Sequence, residues 1–128
     1  ISIKSNPYVA LNFYWKSLNR QIRIEGKATK ITDAEADNYF NSRPLNSKIG
    51  AWASNQSSKL INRKELNDKI RFFQNKYKHQ PIPRPTYWSG YRVAPKLIEF
   101  WQEMPFRLHD RLEYVKVKNV WKKRKLFP

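Results

Sequence analysis

The chain contains no cysteine and only two histidines, His79 and His109. The absence of cysteine excludes disulfide bonds and a thiolate nucleophile, and it removes the most common soft metal ligands. Two histidines are too few for us to expect a protein-built metal site. No apolar run approaches the length of about 18 residues that a transmembrane helix requires. The first residues, ISIKSNPYV, lack the hydrophobic region of a signal peptide, so we expect a cytoplasmic protein.

Acidic residues are also scarce, with 10 Asp and Glu against 26 Lys and Arg, for a net charge of +16. Such a charge attracts nucleic acids, anionic membranes and phosphorylated small molecules, and does not by itself choose among them. A nucleic-acid reader would place accessible aromatic side chains between its basic residues. Most aromatic residues here lie in apolar stretches instead, as Phe13 and Trp15 do. A basic nucleic-acid-binding domain therefore stays the less favoured alternative.

The hydrophobic pattern predicts a single domain of residues 1–128 that is mainly β with inserted helices. Gly26 interrupts the alternation of its strand and predicts a β-bulge. An antiparallel sheet of short strands with no repeats suits a small barrel. The predicted strands span 8–15, 20–31, 86–93, 97–102, 107–117 and 120–127.

Two helices are predicted between the second and third strands. Thr32 and Glu35 form a capping box that begins the first helix, and Pro44 ends it. Asn62 and Glu65 begin the second helix in a similar way. That helix carries apolar residues at helical spacing, which is typical of a face packed on the core. The stripe consists of Leu66, Ile70, Phe73 and Tyr77. The segment PIPRP at 81–85 is expected to be a stiff, extended connector.

The segment RLHDR at 107–111 concentrates positive charge beside the apolar strand LIEFW. On an extended backbone Arg107, His109 and Arg111 would point to one face, about 7 Å apart. That arrangement is tolerable if an anion lies over the three groups or if the face is open to water. The segment is therefore either an anion site or a charged strand edge that opposes aggregation.

A second candidate site consists of Tyr39, Arg43 and Ser47, which follow one another at intervals of four residues. A guanidinium forms bidentate, charge-assisted hydrogen bonds to phosphate, and the two hydroxyls can complete the oxygen shell. Residues of these types also commonly decorate the end of a helix, so the spacing alone leaves both interpretations open.

Four further polar or aromatic positions could meet a ligand. Gln56 and Ser57 lie in the stretch SNQSS, which is either a loop with capping residues or a source of hydrogen-bond donors. Gln21, in the strand RQIRI, points away from the face of Ile22 and Ile24, where a glutamine is usually solvated. Trp101 would more often be a core residue than the edge of a cofactor site.

Two long motifs carry a family resemblance. IEFWQ is followed by FRLHDRLEY, and SRPLNSKIGAWASNQSS lies upstream at 42–58. Together with NPYVALNFYW, RQIRIEGKA, PTYWSGYRV and RKLFP, they make the chain resemble the pyridoxamine/pyridoxine 5'-phosphate oxidase family. The resemblance covers essentially all 128 residues. The family's N-terminal basic segments, which hold the flavin phosphate, have no counterpart here. We therefore expect either a C-terminal part of such an enzyme or a truncated member of the family, one that does not bind FMN tightly or turn over substrate alone.

The resemblance implies an antiparallel split β-barrel that binds FMN at the interface of a homodimer. It implies hydride transfer from the C4' carbon of pyridoxine or pyridoxamine 5'-phosphate to the flavin, and hydrogen peroxide release when oxygen reoxidises it. The product would be pyridoxal 5'-phosphate. A flavin- or pyridoxal-phosphate-binding module without turnover is the alternative.

The resemblance also implies roles for individual residues. Tyr39, Arg43 and Ser47 would hold the substrate phosphate. Arg107 and His109 would contact the substrate above the flavin as catalytic residues, and His109 is a candidate to take the substrate proton. The implied FMN-binding residues are Gln21, Gln56, Ser57, Trp101 and Arg111.

Overall fold

The computed structural model describes residues 2–128, and this part of the chain contains five strands and four α-helices. It divides into two compact units. The sheet unit combines both ends of the chain, up to Thr29 and from Tyr91 onward, and the helical unit is Lys30–Gly90. The elements are α1 (Ser2–Ser5), β1 (Tyr8–Trp15), β2 (Arg20–Lys30), α2 (Asp33–Ser42), α3 (Leu45–Ala53), α4 (Arg63–Lys76), β3 (Tyr91–Gln102), β4 (Asp110–Val117) and β5 (Val120–Leu126).

The strands form one sheet in the order β1-β2-β3-β4-β5. The pairs β1–β2, β3–β4 and β4–β5 are antiparallel. The predicted antiparallel sheet with inserted helices is thus confirmed, and the described strands make an open sheet with β1 and β5 at its edges. None of the helices within 2–128 combines the length and hydropathy of a transmembrane helix.

No bulge interrupts β2 at Gly26 on the side that pairs with β1. Pairing between β1 and β2 runs without interruption from Trp15↔Arg20 to Tyr8↔Lys27. Gly26 is instead a place where two backbones approach closely, since a Cβ added there would lie 2.3 Å from the carbonyl oxygen of Ala94. A glycine inside a strand permits this approach because it has no side chain.

The two strands predicted at 86–93 and 97–102 are one continuous strand, β3, which begins only at Tyr91. The prediction broke the strand near Pro95. Pairing with β4 covers Leu97 to Gln102, so Pro95 lies outside the part of β3 that β4 pairs with. Its missing N–H therefore removes no hydrogen bond between these two strands.

The prediction that Arg107, His109 and Arg111 share one strand face is also wrong, because β4 begins at Asp110. Pro105–Arg107 form a 3₁₀ turn, in which the amide of Leu108 donates to the carbonyl of Pro105 at 3.1 Å. Phe106 and Arg107 take φ values of 60° and 62°. Left-handed backbone ends the strand alternation on which the prediction relied.

The helical unit contains a helix that the sequence pattern did not predict. The capping box of Thr32 and Glu35 begins α2 as expected, and Asn62 caps α4 through the amide of Glu65. Pro44 ends α2 but is also the N-cap of α3, so three helices rather than two lie between β2 and β3 in the described residues. The amides of Ser47 and Lys48 donate back to the Pro44 carbonyl, at 2.9 and 3.1 Å.

The core of the helical unit joins its helices to the segment after α4. Phe40, Ile49, Tyr77 and Ile82 are buried, and Ile70 and Phe73 pack against them. The core role predicted for the apolar stripe of α4 is therefore confirmed for these positions. Ile82 belongs to the proline-rich segment, so that segment is part of the core as well as a connector.

Candidate functional site

The proline-rich loop, residues 81–90, is fastened to α2 through Arg84. The Arg84 side chain is only 10% exposed and pairs with Asp37 at 2.6 Å and Asp33 at 3.0 Å. Its Nη1 donates to the carbonyl oxygen of Trp88 at 2.6 Å. The hydrogen bond to Asp37 raises the pKa of Arg84 above its ordinary value, so the guanidinium stays charged. The position of Trp88 is set by these contacts.

Two further hydrogen bonds connect the proline-rich loop to α3. Trp52 Nε1 donates to the carbonyl of Pro83 at 2.8 Å, and the Tyr87 hydroxyl donates to the carbonyl of Ala51 at 2.6 Å. The loop is therefore held on two sides, which gives it the fixed geometry that a binding wall requires.

The helical-unit cavity has a volume of about 730 Å³ and lies between the α2–α3 junction and the proline-rich loop. Arg43 is the C-cap residue of α2, and Ser47 lies in the first turn of α3. The helix break between them means that they are not successive positions on one helix face, but both line this cavity. Its lining consists of Arg43, Ser47, Gly50, Ala51, Ser54, Asn55, Gln56, Ser58, Tyr87, Trp88 and Ser89.

Trp88 connects Arg43 to Tyr39. The Arg43 guanidinium carbon lies 5.3 Å from the centre of the Trp88 ring. The Tyr39 ring stacks on the same indole at 5.9 Å with an interplanar angle of 26°. The structure thus brings Tyr39 and Arg43 together on one aromatic side chain that itself lines the cavity.

The predicted flavin contacts Gln56 and Ser57 face different cavities. Gln56 lines the helical-unit cavity beside Arg43 and Ser47. Ser57 has a φ of 65° and lines a smaller cavity of about 230 Å³ next to the start of α4. Ser57 is itself the left-handed residue, so the chain changes direction there and the two neighbouring side chains line different cavities.

The sheet-unit cavity, of about 680 Å³, brings together the predicted residues Gln21, Trp101 and Arg111. Its other walls combine apolar and aromatic side chains with three cations, one amide and one carboxylate. These are Trp15, Arg20, Ile22, Phe100, Gln102, Asp110, Leu112, Lys123 and Lys125.

Glu99 holds the guanidinium of Arg111. Its carboxylate is 5% exposed and accepts a hydrogen bond from Arg111 Nε at 2.7 Å and another from Arg23 Nη2 at 2.9 Å. These bonds, that of Arg111 above all, lower the pKa of Glu99, so it is charged at neutral pH. Arg111 Nη1 also donates to the carbonyl of Phe127 at 2.9 Å.

His109 lies next to the sheet-unit cavity through Trp101, with ring centres 4.7 Å apart. Its Nδ1 accepts a hydrogen bond from the Met104 amide at 3.3 Å, which closes the turn before β4. An Nδ1 that accepts carries no proton, so the neutral ring has its proton on Nε2. Arg107 is exposed on the same turn.

Sequence reasoning missed the wall of the helical-unit cavity and the carboxylate behind Arg111. Tyr87, Trp88 and Ser89 form that wall, and their signal was the aromatic pair one residue after a proline-rich run. Glu99 was signalled by a single carboxylate within the apolar strand LIEFW.

Comparison with known families matches nearly the whole chain. Residues 1–77 match the family described as "Pyridoxamine 5'-phosphate oxidase". Residues 88–128 match the "Pyridoxine 5'-phosphate oxidase C-terminal dimerisation region".

Curated relatives carry the same description. The pyridoxine/pyridoxamine 5'-phosphate oxidase of Granulibacter bethesdensis is 53% identical over 128 residues, which is 100% of this chain and 60% of that protein. The oxidase of Haemophilus influenzae is 50% identical, covering 98% of this chain and 60% of its own length. The chain thus spans about three fifths of the length of these relatives.

Two solved structures share the fold. PhzG from Burkholderia lata 383, in complex with tetrahydrophenazine-1-carboxylic acid, superposes with a TM-score of 0.85 at 31% identity, over 96% of this chain and 60% of that one. A pyridoxamine 5'-phosphate oxidase-related, FMN-binding protein from Nostoc punctiforme superposes with a TM-score of 0.70 at 13% identity, over 98% and 66%. The second likeness concerns the fold alone. From the family matches and the curated relatives together, the chain belongs to the pyridoxamine/pyridoxine 5'-phosphate oxidase family.

Proposed function

We propose that the protein containing this chain oxidises pyridoxine or pyridoxamine 5'-phosphate to pyridoxal 5'-phosphate. Oxygen is the final acceptor, and hydrogen peroxide is released. With the amine substrate, water then hydrolyses the imine to the aldehyde and ammonia leaves. The observation that carries the proposal is the helical-unit cavity, where Arg43 and Ser47 lie beside the α3 N-terminus. A guanidinium, a hydroxyl and the positive end of a helix are complementary to a phosphate. Tyr39 adds a second hydroxyl through its stack on Trp88.

We assign FMN to the sheet-unit cavity, with Gln21, Trp101 and Arg111 as contacts. The donor set fits the cofactor, since aromatic and apolar side chains suit a flat ring while guanidinium and amide groups suit its polar edge. Gln56 and Ser57 line other cavities, and only the resemblance supports them as flavin contacts. When bound, FMN supplies the acceptor for the hydride that leaves the substrate C4' carbon.

The chain's own residues orient the substrate. The Glu99 carboxylate fixes the Arg111 guanidinium in one direction, so that part of the site is organised before a ligand arrives. Because Nδ1 of His109 is occupied by the Met104 amide, the neutral ring offers Nε2–H as a donor. We therefore assign His109 a hydrogen bond to the substrate's hydroxyl or amine. The neutral ring can accept the substrate proton only on Nδ1, so the hydrogen bond from the Met104 amide must break first. Arg107, exposed on the same turn, supplies a positive charge.

We further propose that the protein is a homodimer with FMN at its interface. Support comes from the match of residues 88–128 to a region described as a dimerisation region. Those residues include β3 and β4, which carry Trp101 and Arg111.

The test is a single turnover by the protein produced from its full reading frame and loaded with FMN. Mixing with pyridoxine 5'-phosphate without oxygen should bleach the flavin absorbance, and admitting oxygen should restore it with one peroxide per product. Pyridoxine without phosphate is the matched control and should reduce the flavin far more slowly. Retention of flavin without bleaching by either phosphorylated substrate would instead identify a binding module.

A second candidate is the oxidation of a carboxylated, reduced tricyclic compound. It is favoured by the likeness to PhzG, which was solved with tetrahydrophenazine-1-carboxylic acid. The identity of 53% to the Granulibacter oxidase, against 31% to PhzG, makes it the weaker candidate. Bleaching by the tricyclic compound but not by the phosphorylated vitamers would reverse this order.

A further inference from the structure

We propose that Trp88 is a positioning residue for phosphate recognition, and that Arg84 holds it in place. This inference rests on the proposed function, because it concerns how the helical-unit cavity presents Arg43 to a phosphate. Nothing in the resemblance or the comparisons assigns a role to either residue.

The first step of the argument is the placement of Trp88. Its indole touches both side chains proposed for the phosphate, with Arg43 at 5.3 Å and Tyr39 at 5.9 Å from the ring centre. Its other contact is with the core, where the buried ring of Phe40 meets it edge-on at 5.2 Å. Trp88 is therefore held by the core, and it restricts the movement of Arg43 and Tyr39, which are partly and largely exposed.

The second step concerns Arg43 itself. An arginine side chain at a surface samples many rotamers, and ordering it when a ligand binds costs free energy. A guanidinium held over an aromatic face loses less freedom on binding, and the ring uses none of its N–H donors in a hydrogen bond, so they stay available for a phosphate. Trp88 thus lowers the cost of binding without touching the phosphate.

The third step is what holds Trp88. Arg84 donates to the Trp88 carbonyl at 2.6 Å while it pairs with Asp33 and Asp37 on α2. The Arg84 side chain is only 10% exposed, while the two carboxylates that it joins are open to solvent, so three hydrogen bonds fix the guanidinium at the surface of α2. Tyr39 lies on α2 and Arg43 is its C-cap residue. The same helix therefore anchors Trp88, through Arg84, and carries the two side chains that Trp88 positions.

The test uses matched variants at position 88 in the full-length, FMN-loaded protein. Trp88→Leu and Trp88→Phe both fill the apolar space over Phe40, but only Phe keeps an aromatic face. Titration with pyridoxal 5'-phosphate should show an affinity loss of about 5- to 20-fold for Leu and less than about 3-fold for Phe. The affinity for phosphate-free pyridoxal should stay within about 2-fold of the parent for both.

A double substitution separates positioning from a general structural role. In an Arg43→Ala background, Trp88→Leu should add less than about a 2-fold loss, because its effect acts through Arg43. Should Trp88→Leu not fold, Arg84→Lys provides the second route. A lysine keeps the charge opposite Asp33 and Asp37 but lacks the planar fork, and it should weaken only the phosphorylated ligand, by about 2- to 5-fold.

Four results would overturn the inference. Equal losses for pyridoxal and its phosphate would mean that Trp88 supports the fold only. Tighter phosphate binding by Trp88→Leu would mean that the indole competes with the ligand for Arg43. Full pyridoxal 5'-phosphate affinity in Arg43→Ala would remove the phosphate site itself, and with it the basis of both proposals. An effect of Arg43→Ala without an effect at Trp88 would remove the inference alone.

Discussion

At the scale of single residues, Arg43 should be the main electrostatic determinant of phosphate binding. Arg43→Ala removes a charge that lines the cavity, and we expect pyridoxal 5'-phosphate to bind about 1.5–3 kcal/mol more weakly, the scale of a charged hydrogen bond. Calorimetric titration of the full-length protein measures this directly. Lys48→Ala removes a charge from α3 that does not line the cavity and is the matched control, with an expected change below about 0.5 kcal/mol. Equal losses of affinity in the two variants would mean that Arg43 acts on the ligand only through the long-range electrostatic field of the protein and makes no direct contact.

His109 and Arg111 should separate substrate chemistry from cofactor retention. His109→Asn keeps a carbonyl oxygen that can accept from the Met104 amide, so the turn is preserved while the imidazole is lost. We expect normal FMN content and slower flavin reduction in stopped-flow single turnovers, with the same outcome for Arg107→Ala. Arg111→Ala should lower FMN occupancy instead. Flavin reduction at the parental rate in both turn variants would leave His109 and Arg107 with a structural role.

At the scale of elements, Gly26 tests the close approach within the sheet. Gly26→Ala places a Cβ 2.3 Å from the Ala94 carbonyl oxygen, and backbone in a paired strand cannot yield as a flexible side chain would. We expect the free energy of unfolding to fall by about 1–3 kcal/mol.

The control for this substitution is Gly50→Ala in α3, where an added Cβ meets nothing within 4 Å. Alanine there should stabilise the helix by up to about 1 kcal/mol, because glycine is a poor helix former. Urea unfolding of both variants provides the comparison, and equal stability of the two would contradict the close approach.

Glu99 should make the stability of the sheet depend on pH. Its pKa is lowered from 4.5 by Arg111 and Arg23, so the folded state favours the charged carboxylate. The stabilisation is therefore fully present above pH 4.5 and is lost as the pH falls through the lower, folded-state pKa. Glu99→Gln should cost about 2–3 kcal/mol at pH 7 and progressively less in acid.

Unfolding curves between pH 3 and pH 7 measure this dependence, with Glu103→Gln as the control for an exposed carboxylate. A stability difference between parent and Glu99→Gln that stays constant over this range would contradict the assignment.

At the scale of the whole molecule, the net charge of +16 should accelerate capture of anionic ligands. Salt screens such attraction beyond a Debye length, which falls from about 10 Å at 0.1 M to about 3 Å at 1 M. The association rate of pyridoxal 5'-phosphate should therefore fall about 3- to 10-fold over this range. Phosphate-free pyridoxal should show little change in the same stopped-flow experiment. Equal salt dependence of both ligands would assign the effect to the protein's conformation.

Sequence alone determined the features that depend on neighbours along the chain. The capping residues Thr32 and Asn62 located two helices, since a cap acts within one turn. The apolar stripe of α4 identified its buried face, because helical periodicity is a local property. The long motifs around RLHDR and SNQSS identified the family for the same reason, as their residues are contiguous.

Only the tertiary structure decided which distant residues meet. Gly26 faces Ala94, Glu99 joins Arg23 to Arg111, and Arg84 presents Trp88 to Arg43. These contacts join residues far apart in the chain, so no local pattern encodes them. The turn at Phe106 and Arg107 is a different case, because a left-handed backbone at two residues with side chains opposes their local preference. The folding of the surrounding strands imposes this backbone conformation. Because of it, the side chains of RLHDR do not alternate between two faces as they would on a strand.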